Sequence, residues 1–195
     1  MKIAVLAVQG AFIEHETRME LLGATPLELR QKKDLQKDFD GLILPGGEST
    51  VMGKLLRDLH IMDPLRERVK DGLPVFGTCA GMILLAKHLT EDPTVHLGTM
   101  DITVHRNAYG RQLGSFHTVS GFGQETDVPM TFIRAPYIQK AGPGVDILST
   151  VDDRIIAARE KNQLVTAFHP ELDEDLRVHQ YFLNIVTEYH KKLSC

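Results

Sequence analysis

Pro74-Val75-Phe76-Gly77-Thr78-Cys79-Ala80-Gly81-Met82-Ile83-Leu84-Leu85 is the stretch on which the fold turns. Pro74 to Gly77 reads as a short strand that runs straight into Cys79 and an apolar helix from Ala80 to Leu89. Upstream, residues 3–8 form a continuous apolar run, as expected of a strand covered on both faces. Ala11, His15, Met19 and Leu22 then share one helical face, and Gly23 supplies a stop. Thr25 to Leu29 is extended, followed by a charged stretch from Arg30 to Asp40. Gly41-Leu42-Ile43-Leu44 reads as another buried strand, ending at Pro45-Gly46-Gly47. Val51, Leu55, Leu56 and Leu59 mark a helix capped by Ser49, and Asp63-Pro64 opens a further helix that Gly72 closes. Such β-α-β alternation predicts a mainly parallel sheet with crossover helices.

Beyond residue 97 the texture changes. Strand-like pieces near 98–104, 113–119, 130–134, 145–150, 154–159 and 164–168 follow with little helix between them. Glu160-Lys161-Asn162-Gln163 reads as a hairpin loop, so antiparallel additions are expected there. Asp173 precedes a last helix with Leu176, His179, Leu183 and Val186 on one face. The expectation is one α/β domain over residues 1–195: a mostly parallel open sheet with helices on both faces and antiparallel strands in the C-terminal half.

Composition narrows the function classes. The 195 residues carry 22 Lys+Arg against 26 Asp+Glu, a net charge of −4. That balance argues against a protein that tracks nucleic-acid phosphates. The apolar run at the start stops at Gln9, so it reads as a first strand and not as a signal peptide or membrane anchor. The two cysteines, Cys79 and Cys195, make no disulfide framework, which fits a reducing, cytoplasmic setting. Cys79 is then an isolated thiol that needs an explanation.

A strand-to-helix bend can present one side chain in a strained conformation, with glycines two before and two after it to relieve crowding. Serine hydrolases use the same device for their nucleophile. Here Gly77 and Gly81 flank Cys79. The helix N-terminus would favour the thiolate, and the Ala80 N–H would point at the oxygen of an attacked carbonyl. By itself the pattern leaves two readings open: a nucleophile, or a small buried hydrophobe.

A nucleophile needs a base. His169 follows the buried run Leu164-Val165-Thr166-Ala167-Phe168 and precedes Pro170-Glu171. Proline biases His169 to an extended backbone, where residues i and i+2 project to the same side. Glu171 could then bond one imidazole nitrogen while the other faces the thiol. An isolated strand-end histidine with a solvated glutamate is the alternative. The remaining histidines (His15, His60, His88, His96, His105, His117, His179 and His190) have no recognisable partner and read as surface or packing residues. Pro45-Gly46-Gly47-Glu48-Ser49-Thr50 ends a third apolar strand, and its glycine N–H groups could line an oxyanion position. It lacks the Gly-Lys-Ser/Thr of a phosphate-binding loop, and no paired spacing suggests a metal site.

Taken together, Val8-Gln9-Gly10-Ala11, Leu42 to Thr50, Phe76 to Gly81, Arg106-Asn107 with Gly110-Arg111-Gln112, Phe132-Ile133-Arg134-Ala135-Pro136 and Phe168 to Glu171 resemble the class I, triad-type glutamine amidotransferases. More narrowly, they are similar to the glutaminase subunits of pyridoxal 5′-phosphate synthases. The resemblance implies that Cys79 attacks the glutamine side-chain amide, with His169 as proton shuttle and Glu171 as its orienter. It implies an oxyanion hole from Gly47 and Ala80, and glutamine-binding positions at Gly47, Glu48, Ser49, Arg106, Ile133 and Arg134. It also implies no metal and no cofactor. Ammonia would pass to a separate (β/α)8-barrel synthase subunit in a large hetero-oligomer that makes pyridoxal 5′-phosphate (vitamin B6). A chain of 195 residues has no room for that barrel. A cysteine hydrolase or glutaminase of another pathway, or a thiol sensor on the same scaffold, remain the competing readings. The segment Val119 to Val128 and Cys195 have no assigned role.

Overall fold

The computed structural model describes residues 1–106 and 114–193. In chain order the elements are β1 (Lys2–Leu6), α1 (Phe12–Leu21), β2 (Thr25–Leu29), β3 (Gly41–Leu44), α2 (Ser49–Asp58), α3 (Met62–Lys70), β4 (Val75–Thr78), α4 (Ala80–Leu85) and β5 (Ala86–Leu89). They continue with β6 (Met100–His105), β7 (Ser115–Phe122), β8 (Glu125–Ile133), β9 (Tyr137–Ala141), β10 (Asp146–Val151), β11 (Arg154–Glu160), β12 (Gln163–Thr166) and α5 (Arg177–Leu193). Short 3₁₀ turns cover Lys32–Gln36 and Pro170–Leu172.

The main sheet runs β2-β1-β3-β4-β12-β11-β9-β6-β5, with β10 branching from β11. From β2 to β12 every neighbour is parallel. β11 then turns back on β12 and pairs antiparallel with it, so the antiparallel additions fall in the C-terminal half as expected. All four residues of β3, β4 and β12 are buried, which is why Leu42 to Leu44, Val75-Phe76 and Leu164-Val165 read as short apolar runs.

Alternation along β4 separates the two helical layers. Phe76 points to one face, where its ring meets His15 of α1 and His179 and Phe182 of α5. Gly77 points to the other, where an added Cβ would lie 2.7 Å from the Gly81 carbonyl carbon and 3.0 Å from Leu85 Cδ1 of α4. Helices therefore cover both faces. Thr78 returns to the Phe76 face, a detail that matters for the site.

Several local expectations are corrected. The helix after Cys79 ends at Leu85, not Leu89: Ala86 is extended, and Ala86–Leu89 pairs parallel with β6. Met82 to Ala86 is buried on all sides, and such a run has no period by which to tell helix from strand. Ser49 does not cap α2. Glu48 does, with its carboxylate accepting from Thr50 N and Val51 N. The helix expected to open at Asp63-Pro64 begins one residue earlier, at Met62, and Asp63 lies in its first turn. The hairpin loop shrinks to Lys161-Asn162, because Glu160 and Gln163 already pair. Strand β9 was not anticipated, since its sequence Tyr-Ile-Gln-Lys-Ala is mostly polar. Val119 to Val128 belongs to the β7–β8 hairpin, a separate two-stranded sheet in which Phe116 and Phe132 stack at 4.4 Å. Among the described residues no helix is long and apolar enough to cross a membrane.

Phe76 is fully buried at the junction of β4, α1 and α5. Phe76→Ala is expected to lower the unfolding free energy by about 3–5 kcal/mol, measured by urea denaturation.

Candidate active site

Thr78 ends β4 opposite Thr166 of β12. This parallel register brings together residues far apart in the chain. The Cys79 N–H donates to the Thr166 carbonyl at 2.8 Å, tying the bend after β4 to the end of β12. Three residues beyond Thr166, His169 is fixed from the other side by its N–H, which donates to Thr131 O of β8 at 2.8 Å.

Cys79 occupies the bend with φ +48° and ψ −98°, a region that side-chain-bearing residues rarely adopt. Strain of this kind persists only where the surroundings enforce it. Here the enforcement is close packing of glycine backbone: a Cβ on Gly81 would sit 2.0 Å from Leu44 O, and one on Gly77 would strike Gly81. The elbow reading of Gly77 and Gly81 is thus carried by contact distances. Cys79 is only 8% exposed, yet it faces a cleft. Its Sγ lies 4.0 Å from Ile133 O, and it directly precedes α4, whose first N–H groups are unpaired by the helix.

His169 Nδ1 and Glu171 Oε1 are 2.7 Å apart, both buried. The route to this contact differs from the extended i, i+2 geometry anticipated. Pro170–Leu172 forms a 3₁₀ turn with proline at its start, and the turn swings Glu171 back under the imidazole. Burial works against the charged form of His169. Hydrogen bonds to Cys79 and Glu171 outweigh it and push the imidazole up to about 10. Glu171 is held below the ordinary carboxylate range, because the facing His15 and His169 imidazoles more than offset its burial.

The cleft above this trio has a volume of about 580 Å³. Gly47, Glu48, Ser49, Cys79, Arg106, Ile133, Arg134 and His169 all line it, so the structure brings together almost every residue singled out from the sequence. Ala80 lies directly behind, at the first position of α4. Ser49 is buried as the first residue of α2. The Glu48 carboxylate is lowered because two backbone N–H groups overcome its desolvation, and its own N–H donates to Gln9 Oε1 at 2.9 Å. Arg106 is held by Asp92 at 3.0 Å and by Thr50 Oγ1 at 3.2 Å. Arg134 has φ +43°, the second strained non-glycine residue at the cleft. Asn107, Gly110, Arg111, Gln112 and Cys195 lie outside the described residues.

Three residues of the site were missed: His15, His179 and Asp92. His15 and His179, read as packing residues without partners, are fully buried and hydrogen-bonded. His15 Nδ1 is 3.0 Å from His179 Nε2, and His15 Nε2 is 3.1 Å from Thr78 Oγ1 and 3.4 Å from Glu171 Oε2. The available signals were a histidine sharing the apolar face of α1 with Met19 and another sharing that of α5 with Leu183 and Val186. Asp92, which braces Arg106, gave no signal at all.

This fold, with a cysteine elbow and a His-Glu pair at adjacent strand ends, is that of a glutamine amidotransferase. The chain belongs to the SNO glutamine amidotransferase family, whose model matches residues 5–188, and it is an enzyme of that class. It is 58% identical over 191 residues to pyridoxal 5′-phosphate synthase subunit PdxT of Streptococcus pneumoniae strain ATCC 700669 / Spain 23F-1, covering 96% of this chain and 99% of that protein. The PdxT of S. pneumoniae serotype 2 strain D39 is 57% identical over the same coverage. A crystal structure of a glutamine amidotransferase superposes with a TM-score of 0.90 at 42% identity, covering 95% of this chain and 98% of the other. A glutamine amidotransferase from Thermotoga maritima shares the fold, with a TM-score of 0.64 at 15% identity over 98% of this chain and 85% of the other.

A Cβ on Gly46 would lie 2.3 Å from His169 Cε1, and the ring cannot retreat while Glu171 holds it. Gly46→Ala is therefore expected to reduce glutaminase kcat by at least about tenfold, with the secondary structure intact by circular dichroism.

Proposed function

We propose that this chain hydrolyses L-glutamine to L-glutamate and ammonia, with Cys79 as nucleophile, His169 as proton shuttle and Glu171 as orienter. The observation that supports the reading is the buried His169–Glu171 pair, 2.7 Å apart, with His169 and Cys79 lining one glycine-rimmed cleft. Cys79 Sγ attacks the side-chain amide carbon, and the oxygen takes up the negative charge. The N–H groups of Gly47 and Ala80 stabilise that oxyanion, each donor being worth about 3 kcal/mol. As the C–N bond breaks, His169 gives its proton to the departing nitrogen, leaving ammonia and a γ-glutamyl thioester. His169 then takes a proton from water, which attacks the thioester carbon. Breaking the C–S bond restores the thiolate and releases glutamate.

Free glutamine also brings a carboxylate and an ammonium. The guanidinium groups of Arg106 and Arg134 suit the carboxylate, with Arg106 already oriented by Asp92 and Thr50. Gly47, Glu48, Ser49 and Ile133 line the same cleft. Residues 1–195 act as one glutaminase domain, supported by a single hydrophobic core.

The near-full-length identity to PdxT supports a role as the glutaminase subunit of a pyridoxal 5′-phosphate synthase. Ammonia then goes to a (β/α)8-barrel synthase subunit within a large hetero-oligomer. We place the reaction in the cytoplasm, where a free thiol stays reduced.

Cys79→Ala is expected to lower glutamate release more than about 10⁴-fold with the synthase subunit present. Undiminished release would remove this mechanism. A higher rate with a pyridoxal 5′-phosphate synthase subunit than with any other ammonia acceptor tests the pathway. The pH profile follows from His169: its pKa is raised, so the proton destined for ammonia stays in place well above 6.5. The alkaline fall in kcat/KM for glutamine is expected as pH passes about 10.

A further inference from the structure

We propose that His15 is a positioning residue for the triad, its Nε2–H facing the second oxygen of Glu171, with His179 fixing the tautomer that makes this proton available. The inference rests on the triad assigned above.

The Glu171 side chain is wholly buried. Oε1 is taken by His169, whereas Oε2 has no hydrogen bond of normal geometry. A bare oxygen on a buried carboxylate is costly, so whatever faces it matters. His15 Nε2 stands 3.4 Å away, itself wholly buried. The groups facing His15 are Glu171 and His169 from the turn after β12, Thr78 from β4, His179 from α5 and Glu14 from its own helix. Arg18 acts on His179. Burial outweighs these neighbours and keeps both His15 and His179 below the ordinary imidazole range, so each carries one ring proton.

Two arrangements of those protons satisfy the 3.0 Å His15–His179 contact. In one, His15 Nδ1–H donates to His179 Nε2. The His15 Nε2 lone pair then faces the carboxylate, and His179 must keep its own proton on Nδ1, which has no partner. Orphaned buried N–H groups are rare. In the other, His179 Nε2–H donates to His15 Nδ1, and His15 Nε2–H donates to Thr78 Oγ1 at 3.1 Å with Glu171 Oε2 beside it at 3.4 Å. Here the unpartnered His179 Nδ1 is only a bare lone pair. Two separate facts, the open Oε2 and the open His179 Nδ1, thus select the same direction for the chain. With one oxygen bonded to His169 and the other facing the His15 N–H at 3.4 Å, rotation of the carboxylate as His169 gains and loses its proton is opposed from both sides.

The test compares kcat, KM and pH profiles for glutamine, with the synthase subunit present, in His15→Phe, His15→Gln and His179→Phe. Phenylalanine fills the volume without an N–H, whereas the glutamine carboxamide nitrogen takes the place of Nε2–H. The expected result is a fall in kcat of about tenfold or more in His15→Phe, with KM within about twofold and the alkaline limb moved to lower pH. His15→Gln is expected to recover most of that kcat. His179→Phe should slow the native enzyme but not the His15→Gln variant, because a carboxamide needs no tautomer set. If His15→Phe does not fold, the His179→Phe pair still decides. Equal losses from His179→Phe in both backgrounds, or a His15→Gln variant as slow as one without the donor, overturn the proposal. Cys79→Ala and His169→Asn run alongside. Activity surviving in those would overturn the triad itself, whereas their inactivity beside an unaffected His15→Phe overturns only the role of His15.

Discussion

Parallel pairing of β4 with β12 is the constraint on which the rest of the molecule depends. It is made of ordinary ladder bonds between two short, fully buried strands, with Thr78 opposite Thr166. Its consequence is chemical. Cys79 at the end of one strand and His169 just past the end of its neighbour share one edge, where open α/β sheets place their sites. The Cys79 N–H to Thr166 carbonyl bond extends the ladder by one step into the elbow.

Around that edge the backbone is strained where function requires it. Cys79 and Arg134 both have positive φ, and both line the cleft. The elbow is held by glycines whose backbones touch: Gly77 against Gly81, and Gly81 against Leu44. Any side chain there would push α4 off the sheet and move the thiol with it. Gly46 plays the corresponding part for His169, where an added Cβ would lie 2.3 Å from the ring's Cε1.

The electrostatic design is a graded one. His169 is charged because two partners outweigh its burial, whereas His15 and His179 stay neutral because theirs do not. A single buried carboxylate, Glu171, faces a cationic imidazole on one side and a neutral one on the other. The polar chain runs from the cleft through Glu171 to α5, on the same sheet face as Phe76 and Thr78. The apolar and polar contents of that layer are therefore packed as one unit.

Much of this was legible from the residues. The apolar runs at β1, β3, β4 and β12 are buried on both faces and read as such, and the flanking glycines marked the elbow. Cys79, His169 and Glu171 were legible because each sits in a local pattern: Gly-x-Cys-x-Gly, or His-Pro-Glu after an apolar run. What failed was short and context-dependent. The all-buried segment after Met82 has no period, so the switch from α4 to β5 was hidden. Polar β9 is a strand only because β11 and β6 flank it. Glu48 took the cap from Ser49 because a longer side chain reaches two N–H groups at once. Sequence alone determined the parallel core and the elbow and singled out Cys79, His169 and Glu171, because those depend on residue type and nearest neighbours. Only the tertiary structure decided that His15, His179 and Asp92 belong to the site. Their roles come from contacts between elements distant in the chain, and a side chain's sequence neighbours carry no record of what the fold will bring against it.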